Sequence, residues 1–233
     1  MKSEKWVVAM LTLGLSIVLV AQTGDWIAVQ RGQLCVTEGT IDSVAKGKLS
    51  VATPKMRAYL TEPSAQAVEM RFLYLGATNG ESALASGEMR RQLGLKLRSQ
   101  DPCNLVYVMW RIEPENELVV SVKRNPKDHT SAACGNRGYK NIKPAHKDSL
   151  PGLQPGETHT LRAEMADDIL RVFADHREVW TGNLRLDAHG LAGPVGIRTD
   201  NVHLEFDLKA GAAGKDDHDA RSQPCKAGAE SEE

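Results

Sequence analysis

Apolar residues alternate through the segment Thr158–Leu208. Leu161, Ala163 and Met165 share one parity, as do Leu170, Val172 and Ala174, and then Val202, Leu204 and Phe206. Period-two alternation buries one face of an extended strand and solvates the other, the pattern of antiparallel sheets packed face to face. The stretch divides into HTLRAEMA, ILRVFAD and REVWTGNL, followed by GPVGIRTDNVHLEFDL, which is long enough for two strands.

The same rhythm runs upstream, in GQLCVTE, KLSVAT, KMRAYL, QAVEMRFLYLG, EMRRQLGLKLRSQ, NLVYVMWRIEP and ELVVSVKRN. Gly, Pro, Asn or Asp bounds each run, and Pro102, Pro114 and Pro126 fall between runs, where no ladder hydrogen bond is lost. Helix signals are nearly absent: Ser64–Glu69 is too short, and Glu81–Arg91 has room for a turn or two. Lys127–Gly156 is long, polar and irregular, a loop of the kind that often carries function. The expected body is therefore a single all-β antiparallel sandwich over residues 22–209, without internal repeats.

Both ends differ from this body. Lys2 and Lys5 precede an uncharged apolar run, Trp6–Ala21, which reads as a signal peptide or an N-terminal membrane anchor over residues 1–21. Either places the domain outside the cytoplasm: periplasmic, secreted or membrane-anchored. Residues 210–233 turn to Ala, Gly, Ser, Lys, Asp and Glu without apolar period, the composition of a disordered tail.

An oxidising compartment changes how four cysteines are read. Their scatter, with no CxxC pair or Cys/His cluster, excludes a zinc site. Cys103 and Cys134 flank a strand–turn–strand unit, and a bridge between them would contribute ~3 kcal/mol by loop-closure entropy. Two unpaired buried thiols are the alternative. Cys35 with Cys225 would tie the tail to the start of the domain. The formal charge of −1 and sparse aromatics give no pull toward nucleic acid.

The last third carries a resemblance. LRVFADHREVWTG followed by GLAGPVGIRTDNVHLEFDL is similar to the ending of the concanavalin A-like lectin/glucanase superfamily, in its laminin G-like branch with the 3-keto-disaccharide hydrolase domains. Val179–Gly182 stands at that branch's "WeG" position and Gly193–Asn201 at its "GpvGlrsdn" position. The resemblance implies a jelly-roll β-sandwich. It implies no single activity, since lectins, hydrolases and adhesion modules share the superfamily. Trp180 reads as a core or rim aromatic. Asp200-Asn201 reads as a turn whose side chains bond local backbone. His176 replaces the usual hairpin glycine, so Asp175-His176-Arg177 requires another turn form.

Alternation in the middle strands supplies the functional lead. With Leu93, Leu95, Leu97, Val106, Val108, Trp110, Leu118, Val120 and Val122 inward, Gln92, Lys96, Arg98, Tyr107, Arg111, Ser121, Lys123 and Asn125 face outward. Four cations on one face repel, which implies nearby carboxylates or an anionic ligand. A solvated face with basic stems covering apolar surface is the plain account. The sharper one is a groove for a carbohydrate or acidic glycan, with Arg98 and Arg111 as bidentate donors and Tyr107 stacked on a sugar ring. Such binding would weaken at high salt.

Catalytic patterns are missing. The ExDxE strand of laminarinase-type relatives, GxSxG, HExxH and a P-loop are absent, and SVAK at Ser43–Lys46 lacks partner motifs. Glu113, Glu115 and Glu117 alternate, but Pro114 and Asn116 mark a turn. No cofactor and no metal is expected. The expectation is an exported non-catalytic carbohydrate- or cell-envelope-binding protein of open oligomeric state. The alternatives are a glycoside hydrolase using a carboxylate such as Glu113, and an interaction subunit of an envelope complex.

Overall fold

A computed structural model describes residues 26–61, 65–211 and Cys225. Its strands, in chain order, are β1 (Trp26–Ala28), β2 (Leu34–Glu38), β3 (Asp42–Ala45), β4 (Lys48–Val51), β5 (Lys55–Leu60) and β6 (Ala67–Ala77). The long β7 (Arg91–Asp101), β8 (Asn104–Glu113) and β9 (Glu117–Arg124) follow. After them come a one-turn helix α1 (Ser131–Cys134), β10 (Tyr139–Asn141) and β11 (His146–Lys147). β12 (Thr158–Ala166), β13 (Ile169–Ala174), β14 (Arg177–Asn183), β15 (Gly196–Asp200) and β16 (Val202–Gly211) complete the body. Every alternating run of the sequence became a strand. The expected signal or anchor at 1–21 lies outside the described residues, as does the tail from 212 apart from Cys225. Ala210 and Gly211, assigned to that tail, extend β16 and pair with Ile27 and Trp26.

The strands form two antiparallel sheets. The larger runs β11-β14-β13-β12-β6-β16-β4-β3, with β1 on β16, and the smaller runs β10-β9-β8-β7-β15-β5-β2. Their inner faces meet in one core. Phe72 on β6 packs edge-on against Trp110 on β8, with ring centroids 5.8 Å apart, which joins the two layers at their centre. β15 and β16 are consecutive yet belong to different sheets, so the two-residue step Asp200-Asn201 crosses the sandwich.

The quoted motifs have packing reasons. Trp180 is in the core. A Cβ on Gly182 would meet its ring at 2.5 Å, so the glycine makes room for the indole. A Cβ on Gly196 would lie 2.2 Å from the Ala58 carbonyl oxygen. In the β13–β14 hairpin, Asp175 (φ 48°) and His176 (φ 65°) are both left-handed, the two-residue turn that suits strand twist. Asp175 supports it by accepting from the Thr160 amide at 2.8 Å. Of Glu81–Arg91, Glu81–Arg90 forms an irregular loop with a turn at Gly87, without helix, and Arg91 opens β7.

Both cysteine pairs are bonded: Cys103 to Cys134 and Cys35 to Cys225. The first fastens α1, within the long polar segment, to the start of β8.

Candidate functional site on the smaller sheet

Register across the smaller sheet sets three outward-facing rows. One carries Glu117, Arg111, Gln92, Asp200 and Lys55 on β9, β8, β7, β15 and β5. The next carries Val119, Met109, Gly94, Arg198 and Arg57 in the same strand order. The third carries Asn141 on β10, then Ser121, Tyr107, Lys96, Gly196 and Tyr59. Gly94 and Gly196 contribute no side chain, so the long residues around them can close over the sheet.

A cleft of about 250 Å³ opens on this face. Its floor is Gln92, Tyr107, Met109 and Arg198, and one wall is the Leu84–Arg90 loop. Asn136, Tyr139 and Asn141 form the other. Arginine dominates the charge: Arg57, Arg90, Arg111 and Arg198 line the cleft with a single acidic residue, Glu88.

Carboxylates beneath and beside these guanidiniums hold them in place. Asp200, fully buried, accepts from Arg57 Nη2 at 2.7 Å, Gln92 Nε2 at 2.6 Å and Arg198 Nε at 3.0 Å. Burial alone would raise its pKa, but Arg198 and Arg57, with the Gln92 and Arg198 hydrogen bonds, hold the carboxyl far below the usual range. Arg57 also donates to the Met56 and Thr199 carbonyls. Arg111 Nη1 donates to Glu117 at 2.7 Å, and its buried Nε has no partner among the described residues. Arg90 pairs with Glu88. Burial, then the neighbouring Arg111, keeps the Arg90 guanidinium below its ordinary pKa.

Asn201 fixes the loop wall. With φ 56° it turns the chain between sheets, and its fully buried side chain clamps both ends of the loop. Nδ2 donates to the Ser82 and Arg90 carbonyls at 2.9 Å each, and Oδ1 accepts from the Ser82 amide at 2.8 Å. The Asp200-Asn201 side chains thus bond other side chains and the wall loop rather than local backbone.

Of the eight outward residues singled out from sequence, Gln92, Tyr107, Arg111 and Ser121 line the cleft. Lys96 and Lys123 occupy the same face but are buried, Lys123 with its ammonium 5.0 Å from the Tyr139 ring centre. Arg98 leaves the group. A register shift after Leu97 and a left-handed φ of 47° swing it to the β12–β13 turn, where it donates to the Asp167 carbonyl and lies 3.6 Å from Asp168. Asn125 is a scaffold residue that donates to the Cys103 and Arg137 carbonyls. Tyr107 is 2% exposed, with Tyr139 packed beside it from β10 and Arg198 over its ring from the β15 side. The exposed aromatic at the cleft is Tyr139, at 39%. Glu113, the carboxylate named for the hydrolase alternative, pairs with Arg91 at the end of β8.

Arg57 and Arg198 were visible as outward positions of KMRAYL and GIRTD. Placing them beside Gln92 required knowing that β7, β15 and β5 are neighbours. Arg90, Asn136 and Tyr139 sit in loops or on a three-residue strand, where no periodicity marks them.

Among the described residues no group of His, Cys, Asp and Glu could hold a metal ion. No family model matches the sequence, and no curated protein matches it. Solved structures do resemble the fold. The carbohydrate-binding module CBM66 from Bacillus subtilis is 14% identical and superposes with a TM-score of 0.53 over 75% of this chain and 91% of that one. The galectin LEC-6 from Caenorhabditis elegans is 12% identical, TM-score 0.41, over 78% of this chain and 98% of that one. Domain 4 of AbnA, an extracellular arabinanase from Geobacillus stearothermophilus, is 10% identical, TM-score 0.42, over 78% and 84%. The two-sheet antiparallel architecture is a jelly roll like that of the Bacillus subtilis module.

Proposed function

We propose that this protein is an exported, non-catalytic carbohydrate- or envelope-glycan-binding β-sandwich whose ligand sits in the arginine-lined cleft of the smaller sheet. One observation carries the reading: the cleft presents convergent guanidiniums beside an exposed tyrosine. Guanidiniums held by carboxylates offer rigid N–H groups to sugar oxygens, and an aromatic face suits the C–H side of a pyranose. The module from Bacillus subtilis that shares the fold is named for carbohydrate binding. Two disulfides fit a life outside the cytoplasm.

The carboxylates argue for binding rather than hydrolysis. A glycosidase of the common kind needs two carboxyl groups facing one bond. Here Asp200, Glu117 and Glu88 are each engaged by an arginine. The resemblance to 3-keto-disaccharide hydrolases extends to the fold signature, and Glu113 is paired away at the strand end.

A glycan array probed with wild type, Tyr139→Ala and Arg111→Ala tests the proposal. Wild type should bind a defined set of glycans, and both variants should lose most of that signal while keeping the wild-type melting profile. Absence of any wild-type glycan signal would overturn it.

A further inference from the structure

The cleft does not end at its loop wall. A second cavity, about 320 Å³, adjoins it and shares Glu88, Arg90 and Arg111. Its remaining lining is Met89, Pro114, Glu115 and Glu117, from the wall loop and the β8–β9 turn. Arg90 and Arg111, residues from different segments whose like charges repel, border both spaces. Each has a glutamate partner on one side, Glu88 for Arg90 and Glu117 for Arg111.

We infer, building on the carbohydrate reading, that the natural ligand is an oligosaccharide of at least two units. One unit would lie against Tyr139 and Arg198. The next would lie over Met89 and Pro114, with the linkage passing between Arg90 and Arg111. Three observations converge on this. Two guanidiniums bordering both spaces call for an acceptor-rich group beside them, and a linkage oxygen flanked by hydroxyls is one. Arg111 spends only Nη1 on Glu117, so Nη2 at the open end of the guanidinium retains donor capacity. The outer cavity offers apolar surface at Met89, 51% exposed, and Pro114 beside the carboxylate of Glu115. That pairing of a flat apolar patch with a hydroxyl acceptor suits a second sugar ring.

The test is an array carrying the same sugars as mono-, di- and trisaccharides, probed with wild type and Met89→Ala. Met89 is 51% exposed on a loop, so truncating it removes apolar surface from the outer cavity without touching the core. Disaccharides should bind wild type about tenfold tighter than their monosaccharides, the gain expected of an added charge-assisted hydrogen bond. Met89→Ala should bring that disaccharide-to-monosaccharide ratio down by about threefold or more. Equal binding of mono- and disaccharides would overturn the two-unit inference while leaving carbohydrate binding intact. So would a Met89→Ala protein that keeps the full ratio. No binding to any probe would remove both.

Discussion

Arg57 and Asp200, 143 residues apart in sequence, meet at 2.7 Å on the outward face of the smaller sheet, both fully buried. Burying two charges stabilises a fold only when their geometry is good and their remaining hydrogen bonds are met. Here Asp200 accepts from three side chains, and Arg57 donates to two carbonyls besides the carboxylate. Replacing Asp200 with Ala would strand Arg57 without its closest counter-charge. The expected loss is about 3–5 kcal/mol of unfolding free energy, read from the urea midpoint at constant m-value. A loss under 1 kcal/mol would mean that the network is solvated.

The same carboxylate sets a pH dependence. Its folded-state pKa is depressed, so the stabilisation is complete above the unfolded carboxylate value near ~4. It is lost as pH falls below that value, because the unfolded chain binds a proton that the folded state refuses. Unfolding free energy should therefore fall from pH 5 toward pH 2. Asp200→Asn should be less stable at pH 7 and show a shallower decline across that window. Parallel pH profiles for the two proteins would refute the assignment.

Cys103–Cys134 closes a loop across a sequence separation of 31 residues. Chain-entropy arithmetic for that length gives about 3–4 kcal/mol, acting mainly on the unfolded state. The double variant Cys103→Ser, Cys134→Ser should lose that amount in urea unfolding. Since α1 precedes β10, which carries Tyr139, loosening it should also weaken glycan binding through the wall of the cleft.

The strands were legible because alternation is local: each run needs only its own residues to show which face is buried. Trp180 and the GPVG turn followed from the resemblance and found packing reasons in Gly182 and Gly196. The candidate site was half legible. Gln92, Tyr107 and Arg111 lie on β7 and β8, adjacent in both sequence and space. Arg198 and Arg57 join them only through β15 and β5, which arrive from opposite ends of the chain. Arg98 was misplaced because alternation assumes an unbroken register, and the strand shifts after Leu97. Lys96 and Lys123 have outward parity yet are buried, since neighbouring rings and loops cover the face.

Asn201 is the joint between fold and cleft. Its three bonds to Ser82 and Arg90 span the whole wall loop from a buried position. Asn201→Ala would leave those backbone groups unsatisfied and replace a left-handed asparagine with a residue less suited to φ 56°. A loss of about 1–3 kcal/mol is expected. Amide exchange in residues 82–90 should quicken more than in β7 or β8, and glycan affinity should fall. Uniform exchange changes across the sheet would instead mark Asn201 as a general stability residue.

Salt dependence separates a neutral ligand from an acidic one. Sequence reasoning placed four cations on this face, implied carboxylates beside them or an anionic ligand, and expected binding to weaken at high salt. The structure supplies the missing carboxylates: Asp200 serves Arg57 and Arg198, Glu117 serves Arg111, and Glu88 serves Arg90. Guanidiniums already paired act toward a ligand as oriented donors more than as net charge. Binding of a neutral oligosaccharide should then change by less than about twofold between 0.05 and 1 M NaCl, although screening shortens from ~14 to ~3 Å over that range. A tenfold decline over the same range, measured by titration calorimetry, would point to a carboxylated or sulfated glycan that displaces Glu88 or Glu117 from its arginine. In that case Glu117→Gln should strengthen binding, whereas for a neutral ligand it should weaken binding by releasing Arg111 from its fixed position.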